Sequence, residues 1–247
     1  MKMNEYIADF TNHLRDSIKI GNANRLKKSS KKITSVLICG LGGSGIGGTI
    51  LNDLVAKTAL VPILSIKDYN IPSFINHSTL VIASSYSGNT EETLYAIKKC
   101  KDANAEIAII TSGGALKTIA EENNYNNAII PAGHPPRAMF GYAFTQLFYL
   151  LNHYEIIDAS FKSDFENGIR LLNSEKTRIQ NEALTVAKKL HKKTPVIYVA
   201  NGFEGIAIRF RQQLNENSKM LAWHHVVPEM NHNELLGWRT NVKNLAV

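Results

Sequence analysis

Cysteine is scarce in this chain, with Cys39 and Cys100 the two among 247 residues. That number is too small for a disulfide framework, and the pair lacks the spacing of a metal knuckle. A reducing, cytoplasmic setting is therefore expected, with both thiols acting as small buried hydrophobes. Long hydrophobic runs are also missing. The greasiest stretch, "AMFGYAFTQLFYLL" from Ala138, is interrupted by Thr145 and Gln146, which argues against a membrane span. The opening "MKMNEYIADF" has no apolar core followed by a small-residue cleavage site, so no export signal is read. Only about thirty residues precede the first expected strand, too few for a helix-turn-helix domain, and no nucleic-acid partner is expected.

Hydrophobic residues make up 44% and charged residues 20%, the balance of a compact globular protein. Basic residues outnumber acidic ones, 28 to 21, which favours anionic partners. Part of that excess lies in "KKSSKK" (Lys27 to Lys32) and "KKLHKK" (Lys188 to Lys193), both read as solvated faces.

From Ile33 onward an apolar run, a glycine or serine loop and a helical pattern recur, the rhythm of a parallel sheet with crossover helices. Strands are expected at "SVLICG", "VPILSI", "TLVIASS", "EIAIIT" and "NNAIIP". The first three lack polar alternation, as in strands covered on both faces. Residues 1–32 form an N-terminal helical segment, 33–153 a first α/β subdomain closed by a buried helix after "HPPR", and 154–194 one or two connecting amphipathic helices. Residues 195–247 begin a second subdomain. A shift of 160 lays "PVIYVANGFEGIAIRF" over the first glycine loop, matching Gly202 to Gly42 and Gly205 to Gly45, but replacing Ser44 with Glu204. A carboxylate there repels phosphate, so the second loop has another task. The chain stops within an apparent strand, "NVKNLAV", and the second subdomain reads as truncated.

The stretch "VLICGLGGSGIGGT" carries six glycines. Between a strand and a helix, so bare a backbone brings N–H groups close to an anion at the positive end of the helix. No Lys-Ser or Lys-Thr follows, which excludes a P-loop. Gly40, Gly42 and Gly45 do satisfy a dinucleotide fingerprint, with Asp68 a ribose-binding acid after the next strand. The third strand separates these possibilities. "IASSYSGNTEET" sets Ser84, Ser85, Ser87, Asn89 and Thr90 at its C-terminal end, a hydroxyl cluster suited to a phosphomonoester. A bland account, an Asn89–Glu92 capping box, explains Asn89 and leaves Ser85 and Ser87 over.

"GLGGSGIGG" with "SSYSGNTEET" resembles the sugar isomerase (SIS) fold. Together with "PPR", "QLNENSK" and "EMNHNELLGW", in that order, the chain resembles the bifunctional phosphoglucose/phosphomannose isomerase family. The resemblance implies two SIS subdomains, each a parallel sheet flanked by helices in three αβα layers, and paired subunits. It implies interconversion of glucose 6-phosphate and mannose 6-phosphate with fructose 6-phosphate through an enediol, without metal or organic cofactor. Gly43, Ser44, Ser85, Ser87 and Thr90 then bind phosphate, Glu216 is the base, His232 opens the sugar ring from the neighbouring subunit, and Arg137 stabilises the enediolate. Family members continue through a segment contributing a lysine and a threonine, which this sequence lacks. Such chemistry needs a carboxylate able to serve both carbons and a group that titrates near neutrality. Arg137 has a further peculiarity, since it sits at an apparent helix start, where the dipole disfavours a cation. Asn215 and Asn217 flank Glu216 as possible sugar or carboxylate partners. His224, His225, Glu229, His232 and Glu234 invite a zinc reading that no H-E-x-x-H supports, with His224 and His225 taken as structural or loop residues. Two other readings stay open: a phosphosugar-binding protein without turnover, and an NAD-dependent oxidoreductase.

Overall fold

The computed structural model describes residues 2–239 and 244–247. The chain divides into two units, Met1–Arg170 and Leu171–Val247. In the first, helices α1 (Met3–Ala8) and α2 (Phe10–Ala23) lead into β1 (Ser35–Cys39), α3 (Gly42–Val55), β2 (Ile63–Ile66) and β3 (Thr79–Ser85). Then follow α4 (Glu91–Asp102), β4 (Glu106–Thr111), α5 (Gly114–Glu122), β5 (Asn126–Ile129), a 3-10 turn at Pro136–Ala138, α6 (Phe140–His153) and α7 (Phe161–Ser174), which runs across the boundary.

The strands form a parallel sheet in the order β2-β1-β3-β4-β5. Winding therefore reverses between β1 and β3, where Cys39 pairs with Ala83, and a crevice opens beyond the C-terminal ends of these two strands. All seven residues of β3 are buried. Successive side chains alternate between faces, and the core divides accordingly. Val36, Ile38, Leu80, Ile82 and Ile110 pack with Leu51 and Val55 of α3 and Leu147 and Leu150 of α6. Leu37, Cys39, Val81, Ile107 and Ile109 pack with Ile97 and Cys100 of α4 and Leu116 of α5. This unit is thus the expected three-layer αβα sandwich. Strand β2 departs from expectation: it lies at the sheet edge, so Leu64 is 40% exposed rather than covered on both sides.

The polar residues that interrupt the longest apolar run have structural work. Thr145 donates to the Gly141 carbonyl at 2.7 Å, and Gln146 Nε2 donates to Ser17 O and Oγ at 2.7 and 2.8 Å, seating α2 on α6. Among the described residues no helix is long and apolar enough to cross a membrane. Both cysteines are buried, as expected. Burial pushes the Cys39 thiol far above its usual range and Cys100 up to about 11.

In the second unit, α8 (Lys176–Leu190) precedes β6 (Thr194–Ala200), α9 (Glu204–Gln213), a π-helical turn at Leu214–Ser218 and β7 (Trp223–Val227). A 3-10 turn at Glu229–His232, α10 (Glu234–Gly237) and β8 (Leu245–Ala246) follow. Its parallel sheet runs β7-β6-β8, so the unit repeats the strand-helix-strand design. Of the expected final strand "NVKNLAV", Asn241–Lys243 lie outside the described residues, while Leu245 and Ala246 pair with Thr194 and Pro195. The connecting region is two helices, and α8 buries none of its side chains among the described residues.

His13 on α2 is 6% exposed, with Nε2 3.5 Å from Asp9. Burial lowers its pKa below 6.5, and the nearby His134 adds to the effect against the opposing carboxylates of Asp9 and Asp16. The folded state therefore binds this proton less readily than the unfolded chain. Stability is complete above the unfolded pKa and declines as pH falls below it. Urea unfolding at about pH 7.5 and about pH 5.5 is expected to show a larger acid-induced drop in midpoint for the native chain than for His13→Gln. Equal drops would contradict this assignment.

Candidate active site

The glycine loop owes its course to two local constraints. Gly42 takes φ +51°, the left-handed region that glycine enters without steric cost. Gly45 lies so close to the preceding turn that a Cβ there would stand 2.1 Å from the Gly40 carbonyl oxygen. These contacts bring the start of α3 directly over the end of β1. The residue before α3 is Leu41, and no side chain caps this helix among the described residues. Its first N–H groups and the positive end of its dipole thus face the crevice.

The β3–α4 loop meets it there. The Tyr86 N–H donates to Ser44 Oγ at 3.2 Å, joining the two loops. Ser85 Oγ lies 2.7 Å from Thr90 Oγ1 and 3.5 Å from Ser87 Oγ, and accepts from the Gly88 N–H at 3.2 Å. Ser85 is buried, Thr90 and Ser44 half-buried, and Ser87 exposed, a graded set of hydroxyls from floor to rim. Thr90 precedes α4 but spends its hydroxyl on Ser85, so α4 also lacks a side-chain cap among the described residues. Two helix N-termini and four hydroxyls therefore share one crevice, an arrangement that favours a phosphate dianion.

The capping box expected of Asn89 and Glu92 does not form. Asn89 Oδ1 instead accepts from the Ala115 N–H at 2.9 Å, fastening the start of α5. Glu91 is exposed and hydrogen-bonded to the Tyr69 phenol. Asp68, the candidate ribose acid, accepts from the Asn70 N–H at 2.6 Å and closes its own turn. Arg137 also differs from its expected setting. It stands in the 3-10 turn before α6, outside the first turn of the long helix, so the dipole argument against a cation there loses force. Its place beside the glycine loop is clear: a Cβ on Gly43 would lie 3.7 Å from Arg137 Cα and 3.6 Å from the Pro136 carbonyl.

The second unit holds the other two candidates on separate turns. Glu216 lies on the π-helical turn after α9, a feature common at functional sites, and its side chain is exposed. Burial depresses the Arg209 guanidinium, and the Glu216 charge partly restores it. Each flanking amide has one local partner: Asn215 Nδ2 donates to Met220 O at 2.6 Å and Asn217 Nδ2 to Gln213 Oε1 at 3.0 Å. His232 ends the 3-10 turn after β7 and is exposed.

His224 and His225 belong to strand β7 and not to a loop. They form separate pairs: His224 Nε2 with Glu204 at 3.5 Å, and His225 Nδ1 with Glu234 at 2.9 Å. Burial and then Arg211 hold His224 below its usual pKa, against the opposing pull of Glu204. Glu234 also accepts from the Tyr198 hydroxyl, which in turn accepts from Trp238 Nε1 at 2.7 Å. Among the described residues no three His, Cys, Asp or Glu side chains are grouped to hold a metal. Two participants escaped the sequence reading. Tyr86 carries its signal only in its position between the serines, and the Tyr198–Trp238 contact carries none.

The SIS domain family matches residues 30–152, and the bacterial phospho-glucose isomerase C-terminal SIS domain family matches residues 179–247. The solved C-terminal domain of glucosamine-fructose-6-phosphate aminotransferase from Francisella tularensis has the same fold, with a TM-score of 0.77 over 98% of this chain and 74% of that one at 19% identity. The fold and crevice thus define a SIS-domain α/β protein. The bifunctional phosphoglucose/phosphomannose isomerase of Caldicellulosiruptor bescii is 37% identical over 243 residues, 95% of this chain and 71% of the relative. That of Thermoplasma volcanium is 34% identical over 225 residues, 90% of this chain and 68% of the relative. The chain belongs to the bifunctional phosphoglucose/phosphomannose isomerase family.

The close approach at Gly45 has a measurable consequence. Gly45→Ala is expected to cost about 1–3 kcal/mol in urea unfolding, since backbone rather than a flexible side chain must yield. Gly47→Ala, whose Cβ would meet only the Leu147 side chain as close as 3.3 Å, is the milder control. Equal stability of the two variants would contradict the packing described.

Proposed function

We propose that this protein interconverts glucose 6-phosphate and mannose 6-phosphate with fructose 6-phosphate. The observation that carries the reading is the pair of uncapped helix N-termini meeting the Ser44, Ser85, Ser87 and Thr90 hydroxyls in one crevice. In this reading those groups and Gly43 hold the substrate phosphate, which contributes binding common to ground state and transition state. His232 moves a proton to the ring oxygen and opens the sugar. Glu216 takes the C2 proton of the open aldose and returns it to C1, while a proton passes between the oxygens on C1 and C2. Arg137 stabilises the negative charge on the enediolate between those steps. A homodimer in which His232 comes from the neighbouring subunit, and a cytoplasmic setting, belong to the same reading. The exposed turn carrying His232 supports the first, and the two unpaired buried cysteines support the second.

Incubation with fructose 6-phosphate and enzymatic assay of the aldose products tests this directly. Both glucose and mannose 6-phosphates are expected. Glu216→Gln is expected to lose about 10²–10⁴-fold in turnover with substrate affinity retained. Ser85→Ala is expected to weaken fructose 6-phosphate binding about tenfold or more, the worth of one hydrogen bond to a charged group. Binding without product would replace the isomerase with a phosphosugar-binding protein. NADH binding in place of sugar phosphate would restore the oxidoreductase reading.

A further inference from the structure

We propose that Tyr86 is a positioning residue that fixes Arg137 against the phosphate-binding loops. The proposal rests on the role given to Arg137 above. Tyr86 lies within the hydroxyl-rich loop, yet each of its polar groups is directed to a different segment. Its N–H reaches Ser44 Oγ on the glycine loop at 3.2 Å. Its carbonyl accepts from the N–H and hydroxyl of Ser112, at 3.1 and 2.6 Å, on the loop before α5. Its phenol oxygen accepts from the His134 N–H at 3.1 Å. On the far side of His134, Nδ1 lies 3.1 Å from the Tyr6 hydroxyl on α1, and the two rings meet edge to face at 5.6 Å.

His134 is the last residue before two prolines, and Arg137 follows them. Their rings fix φ at both positions, so little freedom separates the anchored His134 N–H from the Arg137 backbone. The turn is then closed by Ala138 N–H to Pro135 O at 2.9 Å and Met139 N–H to Pro136 O at 3.1 Å. A shift of the phenol is thereby transmitted to Arg137 Cα, which faces Gly43. The backbone of Tyr86 holds the phosphate loops together, while its side chain sets the guanidinium-bearing turn over them. Replacing the phenol by a phenyl ring separates these two tasks.

A double-mutant cycle tests the assignment, because residues acting through one another do not add. Tyr86→Phe is expected to lower kcat about tenfold, and to weaken a hydroxamate mimic of the enediolate equally, while inorganic phosphate binds within about twofold of the native value. In an Arg137→Ala background the same change is expected to add less than about twofold. Additive losses, or weakened phosphate binding in step with kcat, would overturn the proposal, since either marks a general loosening of the site. Full activity in Arg137→Ala alone would overturn the proposal together with the role of Arg137, an outcome distinct from additivity. Tyr6→Phe, which leaves Tyr86 intact and releases His134 from its other side, is expected to show the same signature at smaller size. It carries the test if Tyr86→Phe fails to fold.

Discussion

The approach of α3 to the Gly40 carbonyl is the constraint on which the first unit depends. With only hydrogen at position 45, the helix starts at the very end of β1, and its exposed N–H groups open onto the point where the sheet reverses its winding. The neighbouring strand β3 ends beside it, and its loop is tied across by the Tyr86 to Ser44 hydrogen bond. Once these two segments are joined, the serine and threonine hydroxyls have no choice but to gather at the same place. The apolar layers beneath, split by the pleat between α3 with α6 and α4 with α5, support the strands that end at this crevice.

The second unit repeats the strand-glycine-helix device with a different electrostatic outcome. Gly202, which stands where Gly42 does after a shift of 160, also takes a positive φ, +87° against +51°. At the Ser44 equivalent, Glu204 sits in the first turn of α9 and pairs with His224. The carboxylate satisfies the helix dipole from within the chain, so an anion gains little there. Similar backbone with altered charge thus makes the first loop, rather than the second, the one suited to an anion.

Much of this was legible because it is local. The apolar runs located β1 to β5, and six glycines announced the tight turn between β1 and α3, since few other sequences tolerate such backbone geometry. Ser85, Ser87 and Thr90 were legible as a cluster because a strand end and a helix start force them together. What stayed hidden depends on partners distant in sequence. Asn89 looked like a cap for its own helix but serves α5, and the Tyr198 hydroxyl on β6 meets Glu234 and Trp238 from beyond β7. Edge position likewise cannot be read from the apolar run of β2. The function of Tyr86 is of the same kind, because Ser112, His134 and Tyr6 come from three other parts of the chain.

In the proposed reaction a proton passes between C1 and C2 of a phosphosugar held at the first glycine loop. Incubation of the protein with fructose 6-phosphate in D2O, followed by NMR, tests it most directly. Glucose and mannose 6-phosphates that accumulate deuterium at C2 over repeated turnovers are expected, since the base that carries the proton between the carbons exchanges with solvent in a fraction of them. Bound fructose 6-phosphate with no aldose formed, or aldose that gains no deuterium at C2 even after many turnovers, as a direct hydride shift would give, would contradict it.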